Sequence, residues 1–113
     1  MILGRRVSGA GILVALLFPS VAVAQDPALV EQGELLYADQ RCRICHSIGD
    51  DGNKKGPLDG VGSRLTSEEL ELWLLEPKVM TEKAGATRKP DMPAYPQLSE
   101  REIDALVAYM LGL

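Results

Sequence analysis

An all-α single domain is the fold class this sequence predicts, and three observations carry it. Two helix starts repeat one grammar, Thr66-Ser67-Glu68-Glu69 and Ser99-Glu100-Arg101-Glu102. Apolar residues recur at three- and four-residue spacing around them, and no run alternates with period two. The 113-residue length allows one small domain and excludes a multidomain enzyme.

The first 24 residues stand apart. Arg5 and Arg6 form a charged n-region, residues 12–18 an apolar run, and Ala22-Val23-Ala24 a small-residue exit. This reads as a secretory signal peptide, residues 1–24, cleaved after Ala24 to leave a domain of residues 25–113. The alternative is an uncleaved membrane anchor, since residues 7–24 carry no charge. Gly9, Gly11, Pro19 and Ser20 dilute that run, while a spanning helix wants about 20 mostly apolar residues. Export by the Sec route to the periplasm is the expectation.

Without Arg5 and Arg6 the mature chain keeps ten basic against sixteen acidic groups, and its net charge falls from −4 to −6. Nucleic acid is excluded as a partner for such a surface. The only Phe, Phe18, leaves with the leader, so the mature aromatics are Tyr37, Trp73, Tyr95 and Tyr109. A chain this small usually needs a disulfide, a metal or another staple to complete its core.

The helices follow in order. Asp26-Pro27 offers an N-cap with Pro at the first helical position, and Leu29, Gly33, Leu36 and Tyr37 share one face, which predicts a helix over 27–38. Gly33 inside it costs about 1 kcal/mol against Ala, the mark of a close approach by another element. Thr66 and Glu69 form a capping box with a Leu65–Leu70 staple; that helix runs through Trp73 and Leu75 and should stop before Pro77. The second box, with its Leu98–Ile103 staple, opens a helix whose apolar stripe is Ile103, Leu106, Val107 and Met110. Residues 49–62, rich in Gly, Asp and Lys, and residues 90–96, with three prolines, read as loops.

The chemistry concentrates in Cys42-Arg43-Ile44-Cys45-His46, which holds both cysteines and the only histidine. On a helical turn, residues three and four apart share a face, so two thiols and an imidazole converge. That suits a flat ligand with two attachment points and a metal centre. C-x-x-C-H is the haem c attachment signature, with thioethers at Cys42 and Cys45 and iron on His46. A Cys42–Cys45 disulfide of thioredoxin type lacks its βαβ frame, and a structural zinc lacks a fourth ligand.

The far side of the iron has three methionine candidates. Met110 belongs to the last helix's packing stripe, and Met80 follows a helix stop. Met92 lies in Pro90-Asp91-Met92-Pro93, an extended loop in which each proline restricts itself and its predecessor. A rigid loop can present the thioether of Met92 without competition from the backbone.

With these residues in place, the mature chain resembles a class I c-type cytochrome along nearly its whole length. The resemblance rests on Gly33-Glu34-Leu35-Leu36-Tyr37 ahead of the pentapeptide, then Gly56-Pro57-Leu58 and Gly60-Val61-Gly62. It continues with Met92-Pro93-Ala94-Tyr95 before Leu106-Val107-Ala108-Tyr109. It implies a cytochrome c-like fold, three main helices plus loops wrapped around one covalently bound haem c. His46 and Met92 would be the axial ligands, Pro57 would offer its carbonyl to the far nitrogen of His46, and Gly33 would meet Tyr109 where first and last helices cross. Pro57, Trp73 and Tyr95 are its candidate haem-pocket contacts. The implied function is outer-sphere transfer of single electrons between redox proteins outside the cytoplasmic membrane, not catalysis. With −6 on the mature chain, a partner with a basic docking face is expected. Two alternatives remain open: a haem subunit of a membrane oxidoreductase, reached through a partner complex or an uncleaved N-terminus, and a five-coordinate haem sensor or peroxidase-like enzyme.

Overall fold

The computed structural model describes Gly4, residues 9–19 and residues 25–113. Arg5 and Arg6 of the expected n-region and the expected cleavage position after Ala24 lie outside the described residues. Residues 9–19 form no helix or strand, and no helix among the described residues is long and apolar enough to cross a membrane.

The first helix, α1 (Pro27–Asp39), starts at the expected N-cap, where the Asp26 carboxylate accepts from the Ala28 N–H. It buries Gly33, Leu36 and Tyr37. The last helix, α5 (Glu100–Leu111), begins with a complete capping box: Ser99 Oγ accepts from Glu102 N, and Glu102 Oε1 accepts from Ser99 N. The crossing of α1 and α5 is the main packing contact of the domain. Gly33 makes it possible, since a Cβ there would strike the Ala105 carbonyl oxygen and lie 2.6 Å from Tyr109 Cβ. One turn on, the Tyr37 and Tyr109 rings meet edge-on at 5.8 Å, a favoured aromatic geometry.

A short helix α2 (Val61–Arg64) and then α3 (Ser67–Leu75) both pack against α5. The Thr66–Glu69 box is formed in both directions. Leu70 and Leu74 of α3 join Leu36, Ile103, Leu106 and Met110 in one buried core.

Sequence reasoning needs correction between these elements. Pro77 does end α3, but it also opens a fourth helix, α4 (Pro77–Ala84), closed by Gly85 in the left-handed region at φ 62°. Proline at the first helical position sacrifices no hydrogen bond, because that N–H has no intrahelical partner anyway. The span 49–62 is likewise not all loop. Strands β1 (Ser47–Ile48) and β2 (Asp51–Gly52) form a two-residue antiparallel hairpin, and α2 starts at Val61. The architecture is all-α, with the three main helices α1, α3 and α5 joined by the shorter α2 and α4 and this hairpin as the one sheet among the described residues.

Candidate functional site

Between α1 and the C-x-x-C-H segment the chain reverses at Arg41, which takes a left-handed conformation at φ 57°. For a residue with a Cβ this costs about 1–2 kcal/mol. The following 3-10 turn, Cys42–Ile44, is closed by Cys45 N donating to Cys42 O at 3.1 Å, and His46 N reaches the same carbonyl at 2.9 Å. One carbonyl thus gathers the backbone of all three chemistry-bearing residues. Cys42, Cys45 and His46 all line one cavity of about 810 Å³, a cofactor-sized volume. Both thiols are free, and burial pushes the Cys42 thiol above its ordinary pKa.

His46 Nδ1 lies 3.0 Å from the Gly56 carbonyl oxygen. A carbonyl only accepts, so Nδ1 carries the proton and the lone pair is on Nε2. Burial lowers the imidazole pKa, more than the Gly56 bond raises it, and the nearby Arg88 charge lowers it further. Neutral imidazole with a free Nε2 is the metal-ligating form, oriented by its second nitrogen.

The expectation placed Pro57 at this bond, and the structure moves it one residue earlier. Ser47 N donates to Gly56 O at 3.1 Å and Leu58 N to Ser47 O at 2.8 Å, bracketing Pro57 in a parallel bridge with Ser47. Carbonyls alternate along an extended strand, so it is that of Gly56 which faces residues 46 and 47. Pro57 is absent from the cavity wall. Glycine is required at 56 as well, since a Cβ there would strike the Cys45 carbonyl and lie 3.1 Å from His46 Nδ1.

Trp73 and Tyr95 do line the cavity. Tyr95 N donates to Leu74 O at 3.0 Å, which ties its loop to α3. Burial, then the neighbouring Cys42 and Cys45 sulfurs, raise the Tyr95 phenol pKa. Met80, Met92 and Met110 all reach the cavity wall. Met80 and Met110 are buried on α4 and α5, and Met92 is half-buried in a segment without helix or strand.

The cavity suits haem on features of its own. Its wall is chiefly apolar, with Leu58, Val61, Leu70, Leu74 and Leu106 contributed by three helices and the strap before α2. Arg41, Arg64, Lys83 and Arg88 bring four cations to it against two carboxylates, Glu69 and Asp91. A flat apolar macrocycle with two carboxylate arms matches that distribution. The Tyr37 hydroxyl at the wall is buried without a hydrogen-bond partner, and its pKa is pushed up to about 12, chiefly by burial. Zinc finds no such match, because no group of three or more His, Cys, Asp or Glu side chains converges among the described residues.

The sequence motif contained Gly56 but its role was assigned to Pro57, while Arg88 and the cavity-facing part of α4 were missed. For α4 the available signal was the Pro77 start and Gly85 stop with Met80 one turn in.

Residues 30–113 match the cytochrome c family, and the chain belongs to it as a class I c-type cytochrome. It carries covalently bound haem c. Cytochrome c-551 of Stutzerimonas stutzeri is 30% identical over 103 residues, 90% of this chain and 96% of that protein. A cytochrome c oxidase subunit 2 from Alkalihalophilus pseudofirmus is 33% identical over 94 residues, and lupanine 17-hydroxylase [cytochrome c] of a Pseudomonas species 27% over 84. The chain spans only about a quarter of the oxidase subunit and a tenth of the hydroxylase (26% and 11%). No solved structure matches it.

Proposed function

We propose that residues 25–113 form an exported, periplasmic single-electron carrier that catalyses no reaction of its own. In this reading residues 1–24 are a signal peptide used by the Sec route, Cys42 and Cys45 hold haem through thioethers, and His46 and Met92 are its axial ligands. The observation that carries it is the His46 Nδ1–Gly56 bond, which leaves Nε2 free at a cavity whose wall also holds both thiols and Met92. Bound haem supplies an iron that cycles between ferrous and ferric states.

The chain's own residues set the conditions for that cycle. Gly56 fixes the tautomer of His46 and makes the imidazole a stronger donor. Met92 offers a soft thioether, which favours the ferrous state and raises the potential. Its position supports the choice over Met80 and Met110: both of those are buried on helices, and Met110 belongs to the core cluster. The leucines of the wall keep water out and so limit reorganisation.

Near-infrared spectroscopy tests the ligand set. The ferric protein should show a weak sulfur-to-iron charge-transfer band. Met92→Ala should abolish it, lower the potential and admit carbon monoxide to the ferrous iron, while Met80→Leu and Met110→Leu keep it. Retention of the band in Met92→Ala with loss in Met80→Leu overturns the assignment. Carbon monoxide binding to the unmutated protein favours the sensor or enzyme alternative instead.

The partner in this reading is a redox protein with a basic docking face. The −6 of the mature chain attracts it across a screening length of about 8 Å at physiological salt, raising the on-rate more than the affinity. Electron transfer to such a partner should slow as salt rises, and a flat response removes the steering. The likeness to an oxidase subunit supports a second reading, a haem subunit docked in a membrane oxidoreductase. Recovery of the haem protein in washed membranes rather than in the periplasmic fraction would favour it.

A further inference from the structure

Arg88 is explained by none of the haem-binding motifs. It lies in the exposed segment after α4, four residues before Met92. Its Nη1 nevertheless donates to the Cys45 carbonyl at 2.6 Å, across 43 residues of chain. The same nitrogen stands over Gly56, where a Cβ would strike it. Gly56 in turn accepts the His46 Nδ1–H. One guanidinium therefore touches the backbone of the proximal turn and sits beside the bond that orients the histidine.

The chemistry of arginine suits that place. Its charge is permanent, its donors are held in a rigid fork, and a bond from a charged donor is stronger than a neutral one. Between Thr87 and Ala94 no backbone N–H donates to a backbone carbonyl among the described residues. Lys89 turns to its near neighbour Asp91 at 2.6 Å and provides no link across the molecule. Arg88 is the long-range polar tie of this segment to the proximal side.

We propose that Arg88 is a positioning residue of the redox centre, which fastens the Met92 loop to the Cys42–His46 turn and holds a fixed positive charge beside His46. The proposal rests on His46 as the proximal iron ligand. A cation near the centre disfavours the more positive, ferric state, so its removal lowers the potential. Arg88 is solvent-exposed, which keeps the effect modest: about a threefold change in the ferrous–ferric equilibrium, or about 28 mV at 59 mV per tenfold for one electron.

The test uses the haem-loaded protein in three forms: unmutated, Arg88→Lys and Arg88→Gln. Lysine keeps the charge and loses the fork; glutamine loses the charge. Arg88→Gln should shift the equilibrium about threefold toward ferric iron, and Arg88→Lys should hold the unmutated value. Cleavage by proteinase K within residues 86–92 should quicken in both. A Gln variant at the unmutated potential, or equal shifts in Lys and Gln, overturns the charge role, and unchanged cleavage overturns the tether. The ligand reading fails separately, through a haem spectrum that His46→Ala leaves unchanged.

Discussion

The two sides of the haem cavity are built by opposite means. On the proximal side, Arg41, Ile44, Cys45, His46, Ser47, Asn53, Gly56 and Leu58 each donate a backbone N–H to a nearby carbonyl, and the hairpin β1–β2 closes the outer edge. Arg43 adds an ion pair to Asp51 at 2.6 Å, both side chains more than half exposed, so it contributes little beyond about 0–1 kcal/mol. The segment that carries Met92 has none of this. Two prolines limit its backbone, Tyr95 ties its end to α3, and Arg88 reaches across. The difference teaches that the histidine is presented by a self-contained, locally bonded unit, whereas the methionine depends on contacts made elsewhere in the fold.

The core between the two sides is complete only with the ligand in place, and that sets the largest expected effect. Without haem the apolar wall of this open cavity of about 810 Å³ would face water, at about 25 cal/mol for each Å² of apolar surface left unburied. The entire stability of a small domain is about 5–15 kcal/mol. Cys42→Ala/Cys45→Ala, which removes both thioethers, should therefore yield a largely disordered product. Circular dichroism with thermal melting checks this, and a cooperative melt in the double variant would show that the walls hold themselves up.

How far the sequence disclosed this contrast depends on the range of the interactions. The proximal unit was legible because its signal is local: five consecutive residues hold both cysteines and the histidine, and all three line the cavity. The α1–α5 crossing was legible through Gly33, a costly residue in a helix that only a close neighbour explains, and both capping boxes formed as read. Pro57 was displaced by one residue because the histidine's partner is chosen by strand register at Ser47, which motif order does not encode. The helix from Pro77 was missed because the same proline that stops one helix is well placed to start another. Arg88 left no trace at all, since nothing near it in the chain foretells a carbonyl 43 residues away.

Two glycines with positive φ, one on each side, sharpen the comparison at the smaller end of the scale. On the proximal side Gly52 has φ 98°, and a Cβ there would strike the His46 carbonyl and lie 3.1 Å from that of Arg43. Gly85, which ends α4 before the Met92 loop, has φ 62° and nothing within 4 Å of its would-be Cβ. Gly52→Ala thus adds a steric clash with bonded backbone to its conformational cost, and about 3 kcal/mol or more is expected. Gly85→Ala should lose only about 1 kcal/mol, because left-handed backbone is its sole penalty and alanine removes some freedom from the unfolded chain. Denaturant unfolding of the haem-loaded variants measures both. The sulfur-to-iron band should persist in Gly85→Ala. In Gly52→Ala the haem spectrum itself should change, since the displaced carbonyl belongs to His46. Equal costs at the two positions would mean that the proximal hairpin yields as readily as the distal loop, and the contrast in how the two ligands are held would fail.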